Sequence, residues 1–486
     1  MCSVSDYGAE VWWKGQKGFL NRLQALQNKA TRKILGAFST SPAAALEAEA
    51  GIPPPGIRLN HLQRKMAIRI LSTKENHPLR KRCPETYPPQ YTEGRDAGDS
   101  PFREWDSQGN EPFQSQLDRI LTSVSSLIVP QDEVKMNDLD LDCPWIENRI
   151  EFTISKADKD TATKWYNKFI RPLNQSSRNL LIYTDGSMID NRQLGAGIYA
   201  KKANQVIFEL AQSLGTEMEV YDAELWAIDR ASQYAVSHLL DGPTKDVWIF
   251  ADNQAAIQRL QSLKPGHGQH HAYSVWEQAA TIQERGATLH IHWVPGHRDV
   301  EGNEEADKRA KEAAKKADRR SPNLSLSYLK RRAKEMVTEE WNIAWRHLNH
   351  GKSYRGSPQA NINKIMAQLP KQVISAITQL KTGHGFFNSY LAKIPNLGVI
   401  STKCSCSPAR QIPEHLLLNC KLYKSERRQL KKDLGKFPLT TAMVLHTSIG
   451  LKALITFLTT TKIATRHGRT DEQGSRSGTG WGRLEE

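Results

Sequence analysis

At 486 residues the chain exceeds one core and predicts two or three domains, and its net charge of +15, from 67 Lys and Arg against 52 Asp and Glu, favours a polyanionic partner, nucleic acid first among them. A membrane is excluded as partner: the best apolar stretch, Val444 to Leu458, is broken by His446 and Lys452 and falls short of the ~20 residues of a bilayer span, and Asp6, Glu10, Trp12 and Trp13 occupy the place of a secretory leader. Six cysteines over this length make no disulfide scaffold and point to a reducing, intracellular compartment, nuclear or cytoplasmic.

Residues 1–75 read as a helical block. Leu20, Leu23, Leu26, Ala30 and Ile34 recur at helical spacing, Ser41-Pro42 opens an Ala-rich helix that Gly51 and Pro53-Pro54-Pro55 stop, and a further run extends from Ile57 to Leu71. Its apolar faces need a partner. From 76 to 176 the chain reads as a linker, partly disordered, because Pro, Gly, Ser and charged residues dominate to about Gln114 and no clear pattern follows around Trp145 and Trp165.

Residues 177–317 carry the strongest pattern. Asn179–Asp185, Leu194–Lys201 and Gln205–Leu214 predict three consecutive strands, an antiparallel meander. Val220–His238 follows with a helical stripe of Leu225, Ile228, Ala231 and Ala235; Asp246–Asp252 is apolar enough for a central, buried strand. Two helices (Asn253–Leu263, Ala272–Arg285), a strand (Thr288–Val294) and a helix lined by Ala306, Ala310, Ala313 and Ala317 complete the order βββαβααβα, an α/β fold with a mixed five-stranded sheet flanked by helices.

Within that frame Asp185 and Asp252 each close an apolar run, Glu224 opens a helix and Asp307 lies early in the last one. Carboxylates gathered at one sheet edge repel, and hard divalent cations are the usual means of keeping several ionised. Two Mg²⁺ ions, with Mn²⁺ as an alternative, set ~4 Å apart would activate water for in-line attack on a phosphodiester and stabilise the departing 3′ oxygen. His297, in the Trp293-Val294-Pro295-Gly296-His297 loop, is a candidate proton relay. Singly these residues read as a turn former, solvated helix charges and a loop histidine; their joint order is what points to chemistry.

Thr-Asp-Gly-Ser, Tyr-Asp-Ala-Glu, Ala-Asp-Asn-Gln and Trp-Val-Pro-Gly-His followed by Gly-Asn-Glu-Glu-Ala-Asp, in this order, resemble type I ribonuclease H, particularly the version in non-LTR (LINE-like) retrotransposon polyproteins. The resemblance covers about Ser177 to Ala317. It implies that Asp185, Glu224, Asp252 and Asp307 are magnesium ligands, that His297 is the mobile-loop histidine, that Gln254 matches a position touching the minor groove, and that the RNA strand of an RNA/DNA hybrid is cut endonucleolytically to leave a 5′-phosphate. Arg298-Asp299-Val300 departs from the family by bringing charge into the loop. The absence of an Asp-x-Glu pair in the first strand weighs against an exonuclease or integrase on the same sheet; a catalytically inactive nucleic-acid-binding remnant of a retroelement stays open as the alternative.

Residues 318–463 read as a helical C-terminal region. A basic run spans 308–334, with eleven Lys or Arg against Glu312 and Asp318, and Val337, Trp341, Trp345 and Leu348 form a stripe that reads as core packing. Cys404, Cys406, His415 and Cys420, spaced C-x-C-x8-H-x4-C, suit a structural Zn²⁺ site and resemble the zinc knuckle of non-LTR elements. Leu26-Gln27-Asn28-Lys29-Ala30 to Thr40 and Ala44 to Pro53 look like the segment that follows the polymerase in such polyproteins, although no polymerase Tyr/Phe-x-Asp-Asp motif is present. The tail, 464–486, reads as disordered.

Overall fold

The computed structural model describes residues 2–73, 76–83, 115–128, 133–134, 149–239, 244–262, 264, 266–298, 300–316, 323–348, 351, 354–358, 364–395 and 399–465. Most of the expected linker, Trp145, Asp299, part of the basic run and the tail beyond Thr465 lie outside the described residues. The chain forms two compact units, one from its middle and one from its two ends.

The middle unit is built on a six-stranded sheet. Its strands are β1 (Ile150–Thr153), β2 (Asn179–Met188), β3 (Leu194–Lys202), β4 (Gln205–Gly215), β5 (Asp246–Ala251) and β6 (Thr288–Trp293), in the spatial order β1-β6-β5-β2-β3-β4. The meander β2-β3-β4 is antiparallel, and β1, β6, β5 and β2 pair in parallel. The sheet therefore has one strand more than the five expected. Ile150–Thr153, inside the segment read as a linker, pairs with β6, and Lys159–Gln175 forms a helix, α1.

Alternation along the strands separates two layers. Leu180, Ile182, Val247 and Ile249 face α2 (Val220–His238), α3 (Gln254–Leu260) and α4 (Gln269–Glu284) in one core. Leu181, Tyr183 and Phe250 face α1 and α5 (Glu301–Lys315) in the other, with Tyr166, Ile170 and Ala306 filling it. The alanine face of α5 lets its backbone approach β3 so closely that a β-carbon on Gly197 would sit 2.0 Å from the Ala306 carbonyl oxygen. Strand β5 is central and buried, as its apolar run requires, with Val247, Ile249, Phe250 and Ala251 fully covered.

The unit made from the chain ends answers the question of what covers the N-terminal apolar faces. Helices Lys17–Leu35 and Ala43–Ala50 pack with Lys371–Thr382, and Phe38 enters the core formed by Ile377, Leu380, Phe387, Leu417 and Leu454. Glu49 and Lys381 form an ion pair at 2.7 Å with both side chains 6% exposed, and Tyr354 donates to the same carboxylate at 2.6 Å. Trp341 is fully buried against Ala45 and Ala48, whereas Leu348, from the same stripe, stays 43% exposed.

Candidate metal centre of the nuclease-like sheet

Asp185 does not end its strand. Gly186, Ser187 and Met188 continue the ladder opposite Leu194–Ala196, so Asp185 sits within β2, paired in register with Gly197. Asp252 follows the last residue of β5 directly, and since β5 is the neighbour of β2 the two carboxylates share one edge. Glu224 arrives from the first turns of α2, which touches β2 at Gly186: a β-carbon there would lie 2.6 Å from the Glu224 amide nitrogen. A larger residue would push α2 away and take Glu224 out of the cluster.

The structure thus brings Asp185, Glu224 and Asp252 together, with one carboxylate oxygen of each within 4.8 Å of the others. Asp307 stands beside Asp185 in hydrogen-bonding range but is held by Lys311, one helical turn on, at 2.6 Å. Burial pushes Asp185 up to about 8, and the charges of Asp252 and Asp307 add to that. Glu224 is raised well above the carboxylate range, by burial first and then by Asp185 and Asp252. Asp252 is raised by burial, against the opposing pull of Asn303 and of the His297 and Lys159 charges. Glu224 Oε2 is buried with no hydrogen-bond partner. Acceptor-only oxygens, crowded, desolvated and in one case orphaned, are the donor set that hard divalent cations fit.

His297 is exposed, in the left-handed region at φ 56°, on the loop between β6 and α5. The preceding Gly296 packs so closely on Asp252 that a β-carbon would meet Oδ2 at 2.1 Å, so any side chain there would displace the carboxylate. Gln254 is the first residue of α3 and makes no hydrogen bond to the carboxylates among the described residues. Three supporting residues escaped the sequence reading. Asn303 donates from Nδ2 to Asp252 Oδ2 across 3.5 Å; Lys311 neutralises Asp307, a pairing visible in advance as an i,i+4 spacing; and Trp293 donates its indole N–H to the Asp252 carbonyl at 2.9 Å.

A second cluster lies in the unit from the chain ends. Cys404, Cys406, His415 and Cys420 place one ligand atom each within 4.8 Å of the others, on a short hairpin and a π-helical turn. Cys404 Sγ and Cys420 Sγ are 3.7 Å apart, and Cys406 Sγ is 3.2 Å from His415 Nε2. A tetrahedral ion with Zn–S bonds of ~2.3 Å spaces its sulfurs by about 3.8 Å, so the residues fit zinc. Burial pushes the Cys420 thiol up to about 12, and a bound cation would offset that cost of ionisation.

Residues 177–315 match the family described as RNase H, and this segment is an RNase H domain. Among solved structures, the chain is similar to RNase H1 of Halobacterium salinarum (20% identity, 29% of this chain and 99% of that one, TM-score 0.23). It is similar as well to the N-terminal RNase H domain of a Mycobacterium tuberculosis protein (21% identity, 29% and 96% covered, TM-score 0.24). A third is an RNase H1 isolated from compost by a metagenomic approach (23% identity, 29% and 98% covered, TM-score 0.24). No curated protein matches the chain.

Proposed function

We propose that the RNase H domain is a divalent-metal-dependent endoribonuclease acting on the RNA strand of RNA/DNA hybrids, with Asp185, Glu224, Asp252 and Asp307 holding two Mg²⁺ ions. The observation that carries this reading is the convergence of three desolvated carboxylates from β2, β5 and α2, with raised proton affinities and an orphaned Glu224 oxygen. Bound there, the ions would supply Lewis acidity and a hydroxide equivalent at neutral pH.

The chain's own residues set the stage for that chemistry. Gly186 admits Glu224, Gly296 admits the Asp252 carboxylate, and Asn303 restrains the orientation of that carboxylate. Lys311 pairs with Asp307 at 2.6 Å and brings a positive charge to the side of the cluster where Asp307 stands. His297, exposed and close enough for its charge to act on Asp252, is placed to carry a proton to or from the scissile linkage. Gln254, at the start of the helix after Asp252, is proposed to touch the minor groove of the hybrid.

The cysteine and histidine cluster is proposed to hold a structural Zn²⁺, and the succession of an RNase H domain and this cluster supports an origin in a non-LTR retrotransposon polyprotein. The test of the enzymatic reading is cleavage of a labelled RNA/DNA hybrid, duplex RNA and duplex DNA, with and without Mg²⁺. Hybrid alone should be cut, only with metal, and Asp252→Asn should abolish cutting while retaining hybrid binding. Full activity in that variant, or binding without any cleavage by the unaltered chain, sinks the proposal; the second result leaves a nucleic-acid-binding remnant.

A further inference from the structure

A groove of about 1140 Å³ lies within the unit made from the chain ends, between helix Lys17–Leu35, the first turns of helix Lys371–Thr382 and the segment after helix Ser448–Thr461. Its lining holds five cations, Lys29, Arg32, Lys33, Lys371 and Lys462, and no carboxylate. None of the five has a carboxylate partner among the described residues.

That arrangement is costly for a chain that does not use it. Lys29 and Lys33 stand at i,i+4 on one helix face, where like charges repel, with no acid interleaved. Lys462 adopts φ 52° at a helix end, a conformation that glycine or asparagine reaches at less cost than lysine. Arg32 is half-buried, and its Nε is covered without a hydrogen-bond partner. Elsewhere in the same unit, buried charge is neutralised, as at Glu49 and Lys381. In the concavity five cations gather with no acid among them.

We infer that this groove is a binding site for single-stranded nucleic acid, separate from the nuclease cleft, with the five cations neutralising successive phosphates. Concavity selects the occupant. A lipid surface is flat and a duplex is a stiff rod, and neither enters a cleft of this shape, whereas a flexible strand can thread it. The neutral lining suits a strand too: the exposed side chains of Ser39 and Gln372 offer a hydroxyl and an amide, and Phe386 offers a partly exposed aromatic ring.

The test is fluorescence anisotropy on the full chain with a labelled oligodeoxythymidine of about a dozen nucleotides, and oligouridine in parallel, across a salt series. Five phosphate contacts predict that log K falls with log salt at a slope of roughly −3.5, and Lys33→Gln, Lys371→Gln and Lys462→Gln combined should bring it to roughly −1.4 with at least a tenfold loss of affinity at low salt. All three lysines are exposed, so folding is not at stake. Unchanged slope and affinity in the triple variant overturn the site. So does a blunt duplex that binds as tightly as the strand and through the same lysines, or vesicles of anionic phospholipid that depend on those lysines while strand binding does not. Binding of an uncut single strand is the readout, so the result stands whether or not the RNase H domain cleaves hybrid.

Discussion

Arg298 Nη1 lies 3.1 Å from Asp160 Oδ1, and through this contact the loop that carries His297 is tied to the first turn of α1. The helix precedes the segment that matches the RNase H family, and its Lys159 brings a positive charge to bear on Asp252. A strand-helix extension thus reaches the rim of the carboxylate cluster. Both partners of the pair are well exposed, 47% and 71%, so its contribution to stability is at most ~1 kcal/mol. Asp160→Asn should leave thermal unfolding unchanged while lowering hybrid cleavage by a factor of roughly three to ten, since ~1 kcal/mol of positional restraint corresponds to about fivefold in rate. Steady-state rates beside a melting curve decide it: equal rates would show that the loop finds its position without the helix.

Asp185 predicts how the metal-free domain responds to pH. Its carboxyl is raised to about 8 in the folded chain, chiefly by burial, against roughly 3.9 when unfolded. The folded state therefore binds the proton more tightly, and the stabilisation present below the unfolded value is lost as pH rises through the folded one. Without metal the domain should lose on the order of a few kcal/mol between about pH 4 and pH 8. Asp185→Asn should flatten that profile, and Mg²⁺ should restore stability at the alkaline end because it replaces the protons. Thermal scans with chelator across that range test this; a profile that stays level in the unaltered protein contradicts it.

What was legible in the sequence divides along physical lines. The strands and helices of the RNase H domain follow local periodicity: Val220–His238 emerges with the predicted bounds, and β5 is buried because Asp246–Ala251 is nearly all apolar. Asp185 and Asp252 are brought together because β2 and β5 are neighbours, and their approximate place could be read from the ends of two apolar runs. The extension was not legible. Ile150–Thr153 is too short to show a period, and the buried stripe of α1, Ala162, Tyr166 and Ile170, is masked by Trp165, which lies 50% exposed on a stack with Phe169 and His292, and by Pro172. Nor does any local signal announce that Ser375 will donate to the Gly36 carbonyl at 2.6 Å, because that contact joins opposite ends of the chain.

The cysteine and histidine cluster is embedded in the core, with Cys404 and Cys420 among Leu417, Leu430 and Tyr423. Losing the ion would leave closely spaced buried thiols in that core, which couples metal binding to folding. The purified chain should hold one zinc per molecule by elemental analysis. Cys420→Ser should abolish it and unfold the unit made from the chain ends, while hybrid cleavage, assayed in excess Mg²⁺, survives. A stoichiometry of zero in chain purified without chelator would remove zinc from the account.

Glu49 and Lys381 offer the sharpest test that the two ends of the chain fold as one body. Their ion pair is almost wholly removed from water, and Tyr354 completes the shell of the carboxylate. Breaking a buried pair strands the other charge, so Lys381→Met should destabilise this unit by about 3–5 kcal/mol. Adding Glu49→Leu removes the stranded carboxylate and should recover much of that loss, leaving Tyr354 without its acceptor at a cost of about 1–3 kcal/mol. Denaturant titration of the two variants measures the difference. If the double variant is no more stable than the single, the two substitutions do not couple, and Glu49 and Lys381 do not form the pair that joins Ala43–Ala50 to Lys371–Thr382.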